Sequence, residues 1–355
     1  MLPESAPLPG VSVALSAYNG KRFLEEQLDS LARQRVLPAE LVACDDCSSD
    51  GTAAILDDFA RSAPFPVRTF RNEHNLGFAV SFLQAGERCQ AQLIAFCDQE
   101  DVWEETKIGA CAGFFAEHPG VLLVIHAAQR VDERLAPVGG AYPALSVTRV
   151  APPSASDPWV PVPGFAMVFD ASLLHSFDWR RRPPSRDLDG HLMDHDEWIY
   201  FLAWSVGQIG FLADRLVLYR AHGSNLFGAP ERGWRSRLQK LLNEDFATHT
   251  GRAAVARACA EFLEQSRAAP AARDAETVAR LETGARYWSA YEQLSRRRDA
   301  IYEAEGAAAW LNQLRKLVAC RAYRSRETGG LGGLALVRDL REMVLPGRGA
   351  GPAPV

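Results

Sequence analysis

The sequence predicts an α/β protein, a mostly parallel sheet flanked by helices, followed by a helical C-terminal extension. Three observations predict it. Between Val11 and Ile125, short apolar runs alternate with segments whose apolar residues recur at helical spacing. Runs such as Leu93–Cys97 are continuously apolar, the pattern of strands buried on both faces. Acids crowd where the runs stop, and open α/β sheets place ligands outside the carboxyl ends of their strands.

Val11 to Ala17 reads as the first strand, broken by Tyr18-Asn19-Gly20. Asn19 can cap a helix with Leu24, Leu28 and Leu31 inward. Leu41 to Cys44 is a second strand ending in Asp45-Asp46, and Ser48 to Thr52 is a turn and cap before a helix. A third strand lies near Val67 to Phe70, and a helix spans Phe78 to Arg88. The Leu93–Cys97 strand follows, then a helix from near Trp103 to Phe115 and a strand at Val121–Ile125. Residues 132–163, rich in Pro, Gly, Ser and Ala, read as a long loop or lid. Gly164 to Phe169 resumes as a strand, and Asp194 can cap a helix that ends at Gly207. Two short strands are expected at Ile209–Leu212 and Leu216–Tyr219, and only helical patterns from Gly233 on. The expected domains are a tail at 1–9, a catalytic domain at 10–228, a helical extension at 229–345 and a disordered tail at 346–355.

The 355 residues carry 39 Lys and Arg against 44 Asp and Glu, a net charge of −5 that argues against nucleic-acid binding. No run of about 18 apolar residues suggests a membrane span. The start lacks a basic region followed by an apolar core, and seven cysteines suit reduced thiols, so a cytoplasmic protein is expected. Cys44-Asp-Asp-Cys47 has redox spacing, but its carboxylates would raise the thiol pKa values.

Asp45-Asp46, Asp98/Glu100/Asp101 and Asp194/Asp196/Glu197 form three acidic clusters at strand ends or a helix start, with His195 and His222 nearby. Crowded acids repel one another unless they share a cation or basic group. A divalent ion carrying a diphosphate satisfies the cluster after the central strand, and a further carboxylate can deprotonate an acceptor hydroxyl. Plainer roles stand beside these. Asp46 and Asp194 can be caps, His195 structural, Glu197 solvated, and Trp198 either core or acceptor platform. Arg180–Arg182 can be a solvated loop or can meet an anionic acceptor.

Seven segments in order carry a resemblance: Ser12–Asn19, Cys44–Thr52, Asn75–Phe78, Phe96–Trp103, Gly164–Phe169, His195–Trp198 and Tyr219–Asn225. Together, over roughly residues 10–228, they resemble the family 2 glycosyltransferases, and within them the rhamnosyltransferase-like bacterial enzymes of surface-polysaccharide synthesis. The resemblance implies an A-type glycosyltransferase fold and inverting transfer from a nucleoside-diphosphate sugar to a polysaccharide or lipid-linked glycan acceptor, with Mg²⁺ or Mn²⁺ as cofactor. dTDP-rhamnose is that subgroup's leading donor.

By position, the resemblance puts Ala17 and Tyr18 in the base pocket and has Asp45 or Asp46 read the pyrimidine. Asp98 and Gln99 go to the nucleotide-sugar, and Asp98, Glu100, Asp101 and His222 to the metal. Asp196 is the catalytic base, and Gly164, Phe165, His195 and Trp198 lie on the acceptor side. Glu100 stands where Asp is usual and Cys47 where Gly is usual, which questions metal placement and turn geometry. A nicotinamide dehydrogenase would need Gly-x-Gly-x-x-Gly after the first strand, and Ser16-Ala-Tyr-Asn-Gly20 stands there instead. The surviving alternative is a catalytically degenerate nucleotide-sugar-binding protein. Arg232, Arg235, Arg237 and Lys240, with Trp234, Leu238, Leu241 and Leu242, resemble an interfacial helix for peripheral membrane contact.

Overall fold

A computed structural model describes residues 7–185, 190–221, 246–268 and 274–344. β1 (Val11–Ala17) is buried along its whole length because strands flank it on both sides. It runs parallel to β2 (Glu40–Asp45) and to β4 (Leu93–Asp98), and β3 (Val67–Arg71) closes that edge. The registers pair Ala17 with Asp45 and Ser16 with Asp98, so the first two acidic clusters end on one level at the sheet's carboxyl edge. Helices α1 (Leu24–Ala32), α2 (Thr52–Ser62) and α3 (Phe78–Glu87) connect these strands. Leu24, Leu28 and Leu31 point inward, as their spacing predicts.

The other half of the sheet is mixed rather than parallel. With β5 at Val102–Trp103, β6 at Val121–Val131, β7 at Pro137–Tyr142, β8 at Arg149–Ala151, β9 at Met167–Asp170 and β10 at Gln208–Arg220, the order is β3-β2-β1-β4-β9-β6-β10-β5, with β7 beside β6 and β8 beside β10. The chain re-enters through a short turn at Gly164–Ala166, at the carboxyl end of β4, so β9 (Met167–Asp170) must run back antiparallel between β4 and β6 (Val121–Val131). A parallel strand would have needed a crossover there.

Four other expectations change. Val102–Trp103 form a short strand, β5, against β10, so α4 (Lys107–Glu117) starts later than expected. The stretch 132–163 holds two edge strands, β7 (Pro137–Tyr142) and β8 (Arg149–Ala151); Pro and Gly are tolerated at sheet edges. The two strands expected near 209–219 are one, β10 (Gln208–Arg220), whose polar middle is absorbed by register shifts around Arg215. Asn19 does not cap α1, whose N-cap is Phe23. A short α5 (Ser172–His175) and then α6 (His195–Val206) complete this part.

The described residues group into two compact units. The first holds the sheet: residues up to Pro153, Pro161–Arg180, and the stretch from Asp194 to 221. The second takes 154–160, the described part of 181–193, and the later helices α7 (Phe246–Ala268), α8 (Ala275–Tyr302), α9 (Ala307–Ala319) and α10 (Gly333–Val344). Within the second unit, Trp159 packs 5.4 Å from Trp288 and 5.1 Å from Tyr291. Asp339, fully buried, accepts from Arg298 Nε at 2.8 Å and from the hydroxyls of Tyr302 and Tyr323 at 2.7 and 2.6 Å. No described helix is long and apolar enough to cross a membrane.

Candidate active site

At the end of β1 the chain turns into a loop stitched to the one after β2. The Asn19 amide donates to Ser48 Oγ, Gly20 to Thr52 Oγ1 and Lys21 to Asp50 Oδ2, at 2.9, 2.9 and 3.0 Å. Asn19 reaches this geometry with φ +48° and accepts the Ser49 amide on its side chain. Gln99 then locks the loop from the β4 side: the Tyr18 amide donates to Gln99 Oε1 at 2.9 Å, and Gln99 Nε2 donates back to the Tyr18 carbonyl at 3.2 Å. A Cβ at Gly20 would stand 2.2 Å from Gln99 Oε1, so the glycine leaves room for that side chain. Tyr18 remains half exposed at the crevice rim, while Ala17 is buried beneath it.

Asp45 and Asp46 are both buried, with different work. Asp46 accepts from Asn72 Nδ2 and the Leu76 amide on one oxygen, and from the Gly77 amide on the other, all within 2.9 Å. That clasps the 72–77 loop and uses the carboxylate up, so the base-reading role expected of it is corrected to a structural one. Asp45 takes the Ser48 amide on Oδ1 at 3.0 Å, and its Oδ2 carries no hydrogen bond, only Arg71 at 3.4 Å. Cys47 adopts φ +66°, the left-handed region where glycine is at ease, so the missing Gly leaves about 1 kcal/mol of strain in this turn. Burial raises the Cys44 thiol to about 11, which disfavours its thiolate.

The end of β4 meets the start of α6. Burial, with repulsion from Glu100 and from Asp196, raises the Asp98 carboxyl to about 7. Residues about a hundred positions apart thus share one field. α6 opens with a capping box in which Asp194 and Glu197 satisfy each other's backbone, leaving Asp196 as the half-buried acid of that turn. Asp196 Oδ1 accepts the Glu197 amide at 2.7 Å.

Asp101, expected among the metal ligands, is tied to the backbone by one oxygen. It is fully buried, and Oδ1 accepts the Arg220 amide at 3.0 Å. Burial and the neighbouring acids Asp98 and Glu100 push its carboxyl well above the usual range. His222 lies outside the described residues.

The four residues expected on the acceptor side are all buried. Trp198 is 0% exposed, which rules out an acceptor platform. His195 stacks on Phe82 at 4.2 Å and meets Phe96 edge-on at 4.8 Å. A Cβ on Gly164 would come within 2.4 Å of His195 Nε2, so the glycine makes room for that ring. Phe165 is buried with its ring on Tyr219 at 4.6 Å. Arg180, expected free in a loop, pairs bidentately with Glu87.

Two residues that the sequence reading passed over organise the site. Arg220, 1% exposed, donates to the Glu100 carbonyl at 2.7 Å, the Glu133 carbonyl at 2.5 Å and the Glu26 carboxylate at 2.5 Å, and stands 4.3 Å over the Phe23 ring. It fixes the backbone that carries Glu100. Its place between Tyr219 and His222, inside a quoted motif, was the signal. Lys107 is fully buried beneath the acids, in a Glu-Glu-Thr-Lys stretch that reads as a solvated helix start, so no signal marked it.

Among the described residues, no three His, Cys, Asp or Glu side chains converge as a ready metal site. Asp98 and Glu100 supply oxygen donors suited to Mg²⁺ or Mn²⁺, and a cation would relieve the repulsion that lifts Asp98. The donor set fits a hard divalent ion.

Comparison with known proteins is consistent with this geometry. An uncharacterized protein of Mycobacterium tuberculosis is 24% identical over 225 residues, 61% of this chain and 60% of that protein, so the match spans three fifths of the relative's length. The dTDP-rhamnosyl transferase RfbG of Shigella flexneri is 29% identical over 98 residues, 26% of this chain and 34% of that protein. The crystal structure of S. aureus TarS 1–349 in complex with UDP superposes with TM-score 0.54 at 16% identity, covering 94% of this chain and 89% of that one. The fold is that of the A-type glycosyltransferases. Residues 12–158 of the chain match the model of Glycosyl transferase family 2.

Proposed function

We propose that the chain is a metal-dependent inverting glycosyltransferase that moves a sugar from a nucleoside-diphosphate donor to a glycan hydroxyl. The observation that carries this is the convergence of Asp98, Glu100 and Asp196 on one field at the sheet's carboxyl edge. The base lies against the Tyr18 rim, and Asp45, through its untied Oδ2, accepts a pyrimidine N–H. Asp98 and Glu100 would hold Mg²⁺ or Mn²⁺, which would supply positive charge to neutralise the diphosphate leaving group. Asp196 takes the proton of the acceptor hydroxyl, and the freed oxygen attacks the anomeric carbon on the side opposite the diphosphate. One displacement breaks the sugar–phosphate bond and inverts the configuration. The RfbG likeness supports dTDP-rhamnose as the first donor to try.

The test is a thermal-shift screen of nucleoside diphosphates and their sugars with Mg²⁺ or Mn²⁺. The right donor at about 100 times its Kd adds roughly 2.7 kcal/mol of stability. Transfer to glycan acceptors is expected to vanish with EDTA and return with added metal; turnover indifferent to EDTA would sink the metal role. A second reading, a nucleotide-sugar-binding protein without turnover, is favoured by Glu100, which stands where Asp is usual. Saturable donor binding with no transfer to any acceptor would select it.

The cytoplasmic placement extends to contact with the inner face of the membrane. The basic stretch 232–242 that suggested this lies outside the described residues. α10 supports it: the helix buries Ala335, Arg338 and Asp339 and turns Leu334, Val337 and Leu340 outward. The full chain is expected to float with anionic liposomes in low salt and to stay in the soluble fraction when Leu334, Val337 and Leu340 are all Ser; equal recovery of both would rule the contact out.

A further inference from the structure

We propose that Arg130 sets acceptor specificity: its guanidinium receives an oxyanion, a phosphate or a carboxylate, carried by the acceptor glycan. The proposal rests on the reading of Tyr18, Asp45 and Asp98 as the donor half. Arg130 is the last residue but one of β6 and lies directly opposite Tyr219 of β10. Its guanidinium carbon stands 4.6 Å from the centre of the Tyr142 ring, and that ring lies 6.0 Å from Tyr219 and 6.3 Å from Phe165. Its Nε is buried and carries no hydrogen bond, and none of the described carboxylates pairs with it. The nearest acids in sequence are engaged elsewhere: Glu133 pairs with Arg22, and Asp132 accepts the Arg134 and Ala136 amides.

Hydrogen bonds tie the strand beside Arg130 to the acids. Tyr219 is followed by Arg220, which gives its amide to Asp101 and its side chain to the Glu100 carbonyl. The Arg130 backbone thus stands one strand spacing, about 4.8 Å, from the chain that holds the acid loop. Across the sheet, the donor runs from the ends of β2 and β1 to Asp98 on β4, and β6 lies two strands further on. In that layout the free side of the donor sugar faces β6, and the acceptor that displaces the diphosphate enters there. A side chain placed only for packing would be Met or Leu, which strand no polar atom. An arginine placed only for solubility would keep its Nε in water. Here Nε and Nη form a fork held against Tyr142, with the parallel donors that a phosphate or carboxylate accepts. Removal of Nε from water strengthens such a contact.

Saturation-transfer NMR on the full chain compares three probes: methyl glucoside, methyl glucuronide and methyl glucoside 6-phosphate. Mg²⁺ with UDP or dTDP, whichever binds, is present to fill the donor half. The parent is expected to bind an anionic probe about ten- to a hundredfold more tightly than the neutral one. Arg130→Gln should remove that preference and leave the affinities for the neutral probe and the nucleotide unchanged. Arg130→Lys, which keeps the charge but not the fork, should keep part of it. Arg130→Met serves in the same assay if the Gln variant does not fold. A gain for the glucuronide, the phosphate or both tells which oxyanion the site takes. No anionic preference in the parent, or one that survives in a folded neutral variant, overturns the proposal. So does nucleotide affinity that falls with the preference, which would give Arg130 to the donor diphosphate. A parent that binds neither nucleotide sinks the donor reading instead, and a preference that depends on Arg130 would then still place the oxyanion site.

Discussion

Asp196→Asn is expected to lower kcat by about 10²–10⁴-fold while donor binding survives. The change keeps size and removes basicity at the one acid of the α6 start that the capping box does not use. Asp194 and Glu197 exchange hydrogen bonds with each other's backbone, whereas Asp196 spends one oxygen on the Glu197 amide and acts on Asp98 across the site. An acid in the first turn also feels the positive end of the helix, which favours the ionised form a base requires. Donor affinity by calorimetry and acceptor turnover should be measured on the same preparation. Near-parental transfer would move the base elsewhere, and loss of donor binding together with turnover would mean that Asp196 holds the donor instead.

Trp198→Ala should cost about 3–5 kcal/mol of stability, because a large ring enclosed on all sides leaves a cavity its neighbours cannot fill. Its indole is 0% exposed and stacks with Phe201 at 5.9 Å. In a unit of this size, that is a fall in Tm of roughly 10 °C. Once the loss of folded protein is accounted for, acceptor KM should be unchanged. An acceptor platform would show the reverse, a raised KM with an unmoved Tm, and that result would reinstate the reading that the burial of Trp198 overturns.

The sequence by itself placed the strands of the parallel half to within a residue at each end, because largely apolar runs such as Val11–Ala17 and Leu93–Cys97 suit doubly buried strands. It also determined that acids cap those strands, and the seven ordered motifs pointed to the family that residues 12–158 match. Only the tertiary structure decided which acids are spent on the fold. Asp46 and Asp194 carry the same group as Asp98 and Asp196, and nothing local shows that Asn72, Leu76 and Gly77 close on Asp46. β9 is antiparallel because of where the chain re-enters the sheet, a fact about connection rather than composition. Lys107 and Arg220 were hidden for the same reason. A polar residue reads as solvated until the sheet and helices close over it, and whether a buried charge is tolerated depends on partners far away in the chain: Phe165 for the lysine, Glu26 and Glu133 for the arginine.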